Sequence, residues 1–192
     1  MDKEVNILGI AGSLRKDSYN RALLRAANEL VQKEAGLEIF DLEGIPSFNQ
    51  DLEENIPERV REFKQKIRAS DAILIATPEY NYSVPGVLKN AIDWASRPPG
   101  DNAFAGKPVA VMSVSTGMLG GARAQYHLRQ IFVATDMRPL NRPEVFVASA
   151  SQKFDANGRL TDEITKKFVA QLLEALVAVA KKHKTESGSV IF

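Results

Sequence analysis

A chain of 192 residues with 25 Lys plus Arg, 24 Asp plus Glu and 44% apolar residues has the make-up of one globular domain, able to bury roughly 70% of its unfolded surface. The absence of Cys rules out disulfides, thiolate ligands and Cys nucleophiles, and two distant histidines, His127 and His183, exclude paired-imidazole zinc motifs. A net charge of +1, apolar runs far short of a membrane span and an amino terminus without a secretory pattern predict a cytoplasmic protein with no nucleic-acid or membrane partner.

The first element is a β-branched run, Val5 to Ile10, which predicts a strand. It feeds GIAGSLRKDSYNR, Gly9 to Arg21, a glycine turn that delivers Ser13, Arg15, Ser18 and Asn20 to the start of a helix. That helix carries the apolar stripe Leu23, Leu24, Ala27, Leu30 and Val31. A helix start offers unpaired N–H groups, hydroxyls add donors, and an arginine can grip two anionic oxygens, so the loop reads as a phosphate cradle. The alternative is that Ser18 or Asn20 only caps the helix. The Gly-Lys-Ser/Thr ending of nucleotide-hydrolysing loops is missing, as is the three-glycine dinucleotide fingerprint. A second strand is expected at Leu37 to Phe40, ending on Asp41. That carboxylate lies 29 residues beyond Gly12 rather than the roughly 20 of a ribose-gripping acid, so it reads as a loop residue.

A second helix carries Val60, Phe63 and Ile67, and a third strand runs from Ala72 to Thr77. There follows TPEYNYSVPGVLKNAIDW, Thr77 to Trp94, in which Pro78 and Pro85 stiffen a loop bearing Tyr80, Asn81 and Tyr82. Flat rings, an amide and ordered backbone suit a planar heteroaromatic ligand. Tyrosines packed under a turn, with Ser83 capping the next helix, are the alternative. That helix is predicted from Val87 to Ser96, before the Arg97 to Gly100 turn. A fourth strand, Val109 to Ser115, opens into a small-residue loop with Ser115, Thr116, Gly117, Gly120 and Gly121, then a helix from Ala122 to Thr135. No Gly-x-Ser-x-Gly elbow exists, which argues against a serine hydrolase. A fifth strand is expected at Val145 to Ala148 and a fifth helix on the stripe Ile164, Phe168, Leu172, Leu176 and Val179, with residues 183–192 as a loose tail.

Five apolar strands alternating with helices imply a parallel sheet covered on both faces: an α/β, flavodoxin-like three-layer sandwich with strand order 2-1-3-4-5. Ligands in such sheets bind beyond the carboxyl ends of the strands, where the three loops converge.

On GSLRKDSYNR (Gly12 to Arg21), TPEYNYSVPGVLKNAIDW (Thr77 to Trp94) and GGARAQYHLRQ (Gly120 to Gln130), the chain resembles the NADPH-dependent FMN reductase family, above all its bacterial chromate and quinone reductase branch. The likeness spans Val5 to about Lys182. It implies one flavodoxin-like domain over residues 1–192 that binds FMN without a covalent link. Its phosphate would be held by Ser13, Arg15, Ser18, Tyr19 and Asn20, and its ring system would lie against Pro78, Glu79, Tyr80, Asn81 and Tyr82, bordered by Ser115 and Gly117. Glu79 is expected to organise its loop rather than act as a base, and no side chain is assigned a catalytic proton transfer.

The resemblance further implies an enzyme that takes hydride from NADPH or NADH and reduces quinones, chromate, flavins or azo dyes in a ping-pong cycle. The alternative is a flavodoxin-type electron carrier that does not oxidise NAD(P)H, which the near-neutral charge disfavours; a sensor module would need an effector segment that the chain lacks. Arg123, Tyr126 and Glu144 are expected to form a polar network across subunits of a homodimer or homotetramer, and Arg97 to face anionic acceptors.

Overall fold

The computed structural model describes residues 4–188. In chain order these form β1 (Val5–Ala11), α1 (Tyr19–Leu30), β2 (Ala35–Phe40), α2 (Glu58–Ala69), β3 (Ala72–Thr77), α3 (Gly86–Ala95), β4 (Pro108–Val114), α4 (Ala122–Ala134), β5 (Arg138–Pro139), β6 (Val145–Val147) and α5 (Glu163–Gly188). All strand pairs are parallel, in the order β2-β1-β3-β4-β5, with β6 also paired to β4. This is the flavodoxin-like order that the apolar runs predict.

The fifth position differs from the single strand expected at Val145 to Ala148. Two short segments share it: Arg138 stands opposite Pro108, and Val145 opposite Met112. Seven residues on this edge thus span four on β4. Pro139 and Pro143 cannot donate ladder hydrogen bonds, which confines such a stretch to an edge and breaks its pairing.

Successive residues of each strand feed opposite cores, as period-two geometry requires. Ile7, Leu74 and Met112 pack with Leu23 and Leu24 of α1 and with Leu172 and Leu176 of α5. Leu8, Ile73 and Val111 pack with Phe63 of α2, Ile92 of α3 and Leu128 of α4. Each fully buried aliphatic side chain contributes about 1.5–3 kcal/mol.

In α5 the buried stripe is Val169, Leu172, Leu173, Leu176, Val177 and Ala180. Ile164 and Phe168, expected in the core, are exposed: Thr165 and Val169 beside them are buried, so the stripe that faces the core runs one residue further round the helix. The tail expected to be loose from His183 instead continues α5 to Gly188. Lys184 Nζ donates to the Glu4 carbonyl at 3.0 Å, and Lys181 pairs with Glu4 and Glu34, tying this end to β1. Residues 189–192 lie outside the described residues. No helix among the described residues is long and apolar enough to cross a membrane.

Asp162 caps α5. Its carboxylate accepts from Lys153 Nζ at 2.7 Å, the Thr165 hydroxyl at 2.6 Å and the Thr165 N–H at 2.9 Å, and these donors hold its pKa down to about 2. Because the folded-state value is depressed, this stabilisation is complete above the unfolded value near 4 and is lost as pH falls through about 2. Asp162→Ala should therefore cost about 1–2 kcal/mol at pH 7 and less below pH 3, read by denaturant melts at both pH values.

Candidate functional site

The three loops leave the sheet side by side. Gly12 extends the β1–β3 ladder, its N–H donating to the Ala76 carbonyl at 2.8 Å. A Cβ there would lie 3.1 Å from both Leu88 Cδ2 and Thr77 Oγ1 and 3.3 Å from Pro78, so only glycine lets the first loop press against the second. Ser13 is buried and its hydroxyl accepts the Arg15 N–H at 3.3 Å. Ser18 is the cap of α1, accepting the Asn20 N–H at 3.3 Å. Arg21 bonds the Leu14 carbonyl and pairs with Asp41, so that carboxylate braces the loop. The Arg15 side chain is exposed and has no polar partner among the described residues. With Ser18, Tyr19 and Arg25 it lines a cavity of about 320 Å³, closed on its far side by the turn 155–158.

Asn20 has a different task from the one expected of its side chain. The amide is buried, donates to the Val114 carbonyl at 3.0 Å and accepts the Val114 N–H at 3.0 Å. The β3–β4 ladder ends at Thr77 and Ser113, so Asn20 takes over where β3 leaves off and fixes the start of α1 to the end of β4. The Tyr19 ring likewise turns inward, 5.2 Å from that of Phe154.

In the second loop Tyr80 and Ser83 exchange both backbone hydrogen bonds, at 3.1 and 2.9 Å. Asn81 and Tyr82 between them adopt φ of +48° and +68°, the left-handed pair of a two-residue hairpin turn. A tyrosine in that region is an outlier held by its surroundings. Glu79 accepts the Arg123 N–H at 3.0 Å and is ion-paired to the Arg123 guanidinium, which lies 3.5 Å over the Tyr82 ring. Ser83 does not cap α3, which begins after Pro85 without a side-chain cap; its hydroxyl meets His127 Nδ1 at 2.9 Å.

The third loop is held by β6 and α4. The Ser115 hydroxyl accepts the Gly117 N–H at 3.1 Å, and Ser115 N–H donates to Val147 at 3.0 Å. Ser113 donates to the Gly120 carbonyl at 2.5 Å and accepts from Gln125, which also donates to Val145. Glu79, Asn81 and Tyr82 on one side and Ser115, Gly117 and residues 118–121 on the other enclose a second cavity of about 350 Å³, with Arg123 in its wall.

Within one chain, Tyr126 donates to Glu144 at 3.3 Å, Arg142 pairs with Glu144 at 3.0 Å, and Arg123 turns to Glu79. One expectation needs correction: Arg97 does not face these two cavities. It follows the far end of α3, about 15 Å of helix from the second loop, and grips Glu53 at 2.7 and 3.3 Å. The wall role of Arg123 and the 155–158 turn were missed. The Gly-Gly-Ala-Arg run signalled a tight turn, but nothing in it named Glu79 as the partner.

The donor set suits a mononucleotide. A guanidinium without a polar partner among the described residues, beside a helix start, matches a phosphate, and a cavity walled by Tyr82, Asn81 and a glycine-rich loop matches a planar head, although Pro78 and Tyr80 do not line it.

The chain matches the model of the NADPH-dependent FMN reductase family over residues 5–152. It is 52% identical over 177 residues, 92% of this chain and 95% of the relative, to an NAD(P)H-dependent FMN reductase of Pseudomonas aeruginosa. It is 49% identical over 187 residues, 94% and 95% of the two chains, to an NAD(P)H:quinone oxidoreductase of Solanum tuberosum. Among solved structures, the flavoenzyme NAD(P)H:(acceptor) oxidoreductase FerB of Paracoccus denitrificans superimposes with a TM-score of 0.86 at 38% identity, over 93% of this chain and 98% of that one.

Proposed function

The chain belongs to the NADPH-dependent FMN reductase family, and from that premise we infer that it is an FMN-dependent NAD(P)H oxidoreductase acting on quinones and related small acceptors. FMN, when bound, would supply the redox chemistry: acceptance of hydride from NAD(P)H and delivery of electrons to an acceptor. The observation that carries the reading is the pairing of a free Arg15 guanidinium at the start of α1 with a second cavity, along the same sheet edge, walled by Glu79, Asn81, Tyr82, Ser115 and Gly117.

In this reading Arg15, Ser13, Ser18 and the backbone of Tyr19 and Asn20 hold the phosphate. The Ser18 cap and the Asn20 brace fix the start of α1 in advance, so the order lost on binding is mainly that of the Arg15 side chain. Pro78 and the residues 79–82 support one side of the ring system, and Ser115 and Gly117 the other. Backbone N–H groups of the second loop stabilise negative charge on the polar edge of the ring. The exposed rings of Tyr80 and Tyr82 leave the mouth accessible to coenzyme and acceptor by turns.

The same proposal places the enzyme in the cytoplasm as a single flavin-binding domain over residues 1–192. It is a homodimer or homotetramer whose contact includes the exposed Tyr126 beside Glu144, and chromate, flavins and azo dyes extend its acceptor range. Anaerobic addition of NADPH to FMN-loaded protein should bleach its visible absorbance, and a benzoquinone should restore it. Absorbance unmoved by NADPH and NADH would assign the chain to electron carriage instead.

A further inference from the structure

Arg123 makes three attachments to the second loop and none to a neighbouring helix. Its backbone N–H and its guanidinium edge both hold Glu79, and the flat face of the guanidinium covers the Tyr82 ring. The Glu79 side chain is only 7% exposed, and among the described residues Arg123 is its only polar partner. Between the two anchored residues lies the turn whose Asn81 and Tyr82 occupy left-handed backbone conformations. Such conformations persist in bulky residues only when contacts outside the turn over-determine them. His127, one helical turn on from Arg123, adds a second tether through Ser83 on the same face of α4.

We propose that Arg123 is a positioning residue that holds residues 79–82 as the wall of the ring cavity, and that its charge offsets the buried Glu79 carboxylate beside that cavity. The proposal rests on the FMN reading and deepens it. The role requires arginine in particular. A fork can meet a carboxylate while the plane of the same group stacks on an aromatic ring, and an ammonium cannot do both. Without the Arg123 side chain, Glu79 keeps only the backbone N–H of residue 123 and its charge is uncompensated in a largely closed space, while the Tyr82 ring loses the surface it rests on. The phosphate cradle on the first loop is untouched. Loss of Arg123 therefore loosens the ring end of the ligand and places uncompensated negative charge next to it, which disfavours the addition of electrons.

The test compares wild type, Arg123→Ala and Arg123→Lys for FMN affinity in titrations of apoprotein, for flavin midpoint potential and for oligomeric state. Arg123→Ala is expected to bind FMN about tenfold more weakly and to have a more negative potential. Arg123→Lys should return the potential close to that of wild type while leaving affinity only partly restored, a split that a purely structural role would not produce. FMN affinity unchanged in Arg123→Ala overturns the proposal, including the case in which only the oligomer dissociates. If Arg123→Ala does not fold, Arg123→Lys decides, and wild-type affinity in that variant overturns the proposal. A wild-type protein that fails to bind FMN overturns the functional reading as well, whereas normal wild-type binding with an indifferent Arg123 variant overturns this inference alone.

Discussion

Arg15→Ala is expected to lower FMN affinity about 100-fold while leaving the melting temperature of the apoprotein within about 2 °C of wild type. A guanidinium held against a phosphate makes two charge-assisted hydrogen bonds, each contributing about 1.5–3 kcal/mol, and tenfold in affinity corresponds to about 1.4 kcal/mol. On the stability side the substitution removes almost nothing, because the side chain is exposed and makes no hydrogen bond or ion pair with another described residue. Surface changes of that kind fall within about 0.5 kcal/mol. Fluorescence titration of FMN into apoprotein, paired with a thermal melt, checks both halves. Equal loss of affinity and stability would make Arg15 a structural residue of the loop.

Gly121→Ala should be the most destabilising of the single changes considered, by about 2–4 kcal/mol, lowering the melting temperature of the apoprotein by about 5–15 °C. The added Cβ would sit 2.7 Å from Ser113 Cβ and 2.9 Å from its Oγ, on a backbone at φ +86°. Relief requires Ser113 to move, and Ser113 links the Gly120 carbonyl to Gln125 in the buried network that holds the third loop. The damage therefore reaches the cavity wall as well as the core. A variant that melts like wild type would show that this close approach is not maintained in solution.

The fold was legible in the sequence because β3 and β4 are buried throughout and β1 at all but Asn6, a pattern that a covered parallel sheet explains, while β2 at the edge exposes Glu38 and Ile39. The fifth position was harder to read. Its hydrogen bonds are divided between a two-residue segment at Arg138 and a three-residue segment at Val145, and neither is long enough to show a period. The start of α5 misled for a different reason: Ile164 and Phe168 keep four-residue spacing with Leu172 and Leu176, but that row drifts round the helix, and Thr165 and Val169 take the core side at its start.

At the candidate site, residue types in loops after strands pointed to the right sheet edge. What they could not reveal was the side-chain pairing. Asn20 carries the chemistry of a phosphate ligand, yet both ends of its amide are taken by Val114, 94 residues away. Arg123 sits on α4, and nothing in the sequence around it indicates that it reaches back to Glu79, 44 residues earlier. Contacts of that range follow from how strands are ordered in space, and single-sequence periodicity carries no such information.

The central claim is that the first loop and the second cavity together hold one flavin mononucleotide. Isothermal titration of FMN into flavin-free protein, shown by circular dichroism to be folded, tests it most directly. The account predicts saturation near about one FMN per chain with a Kd at or below about 1 μM, tightened by more than tenfold over riboflavin because the phosphate grip is lost without the phosphate. Folded protein that releases no heat with FMN, or that binds riboflavin equally well, would contradict it.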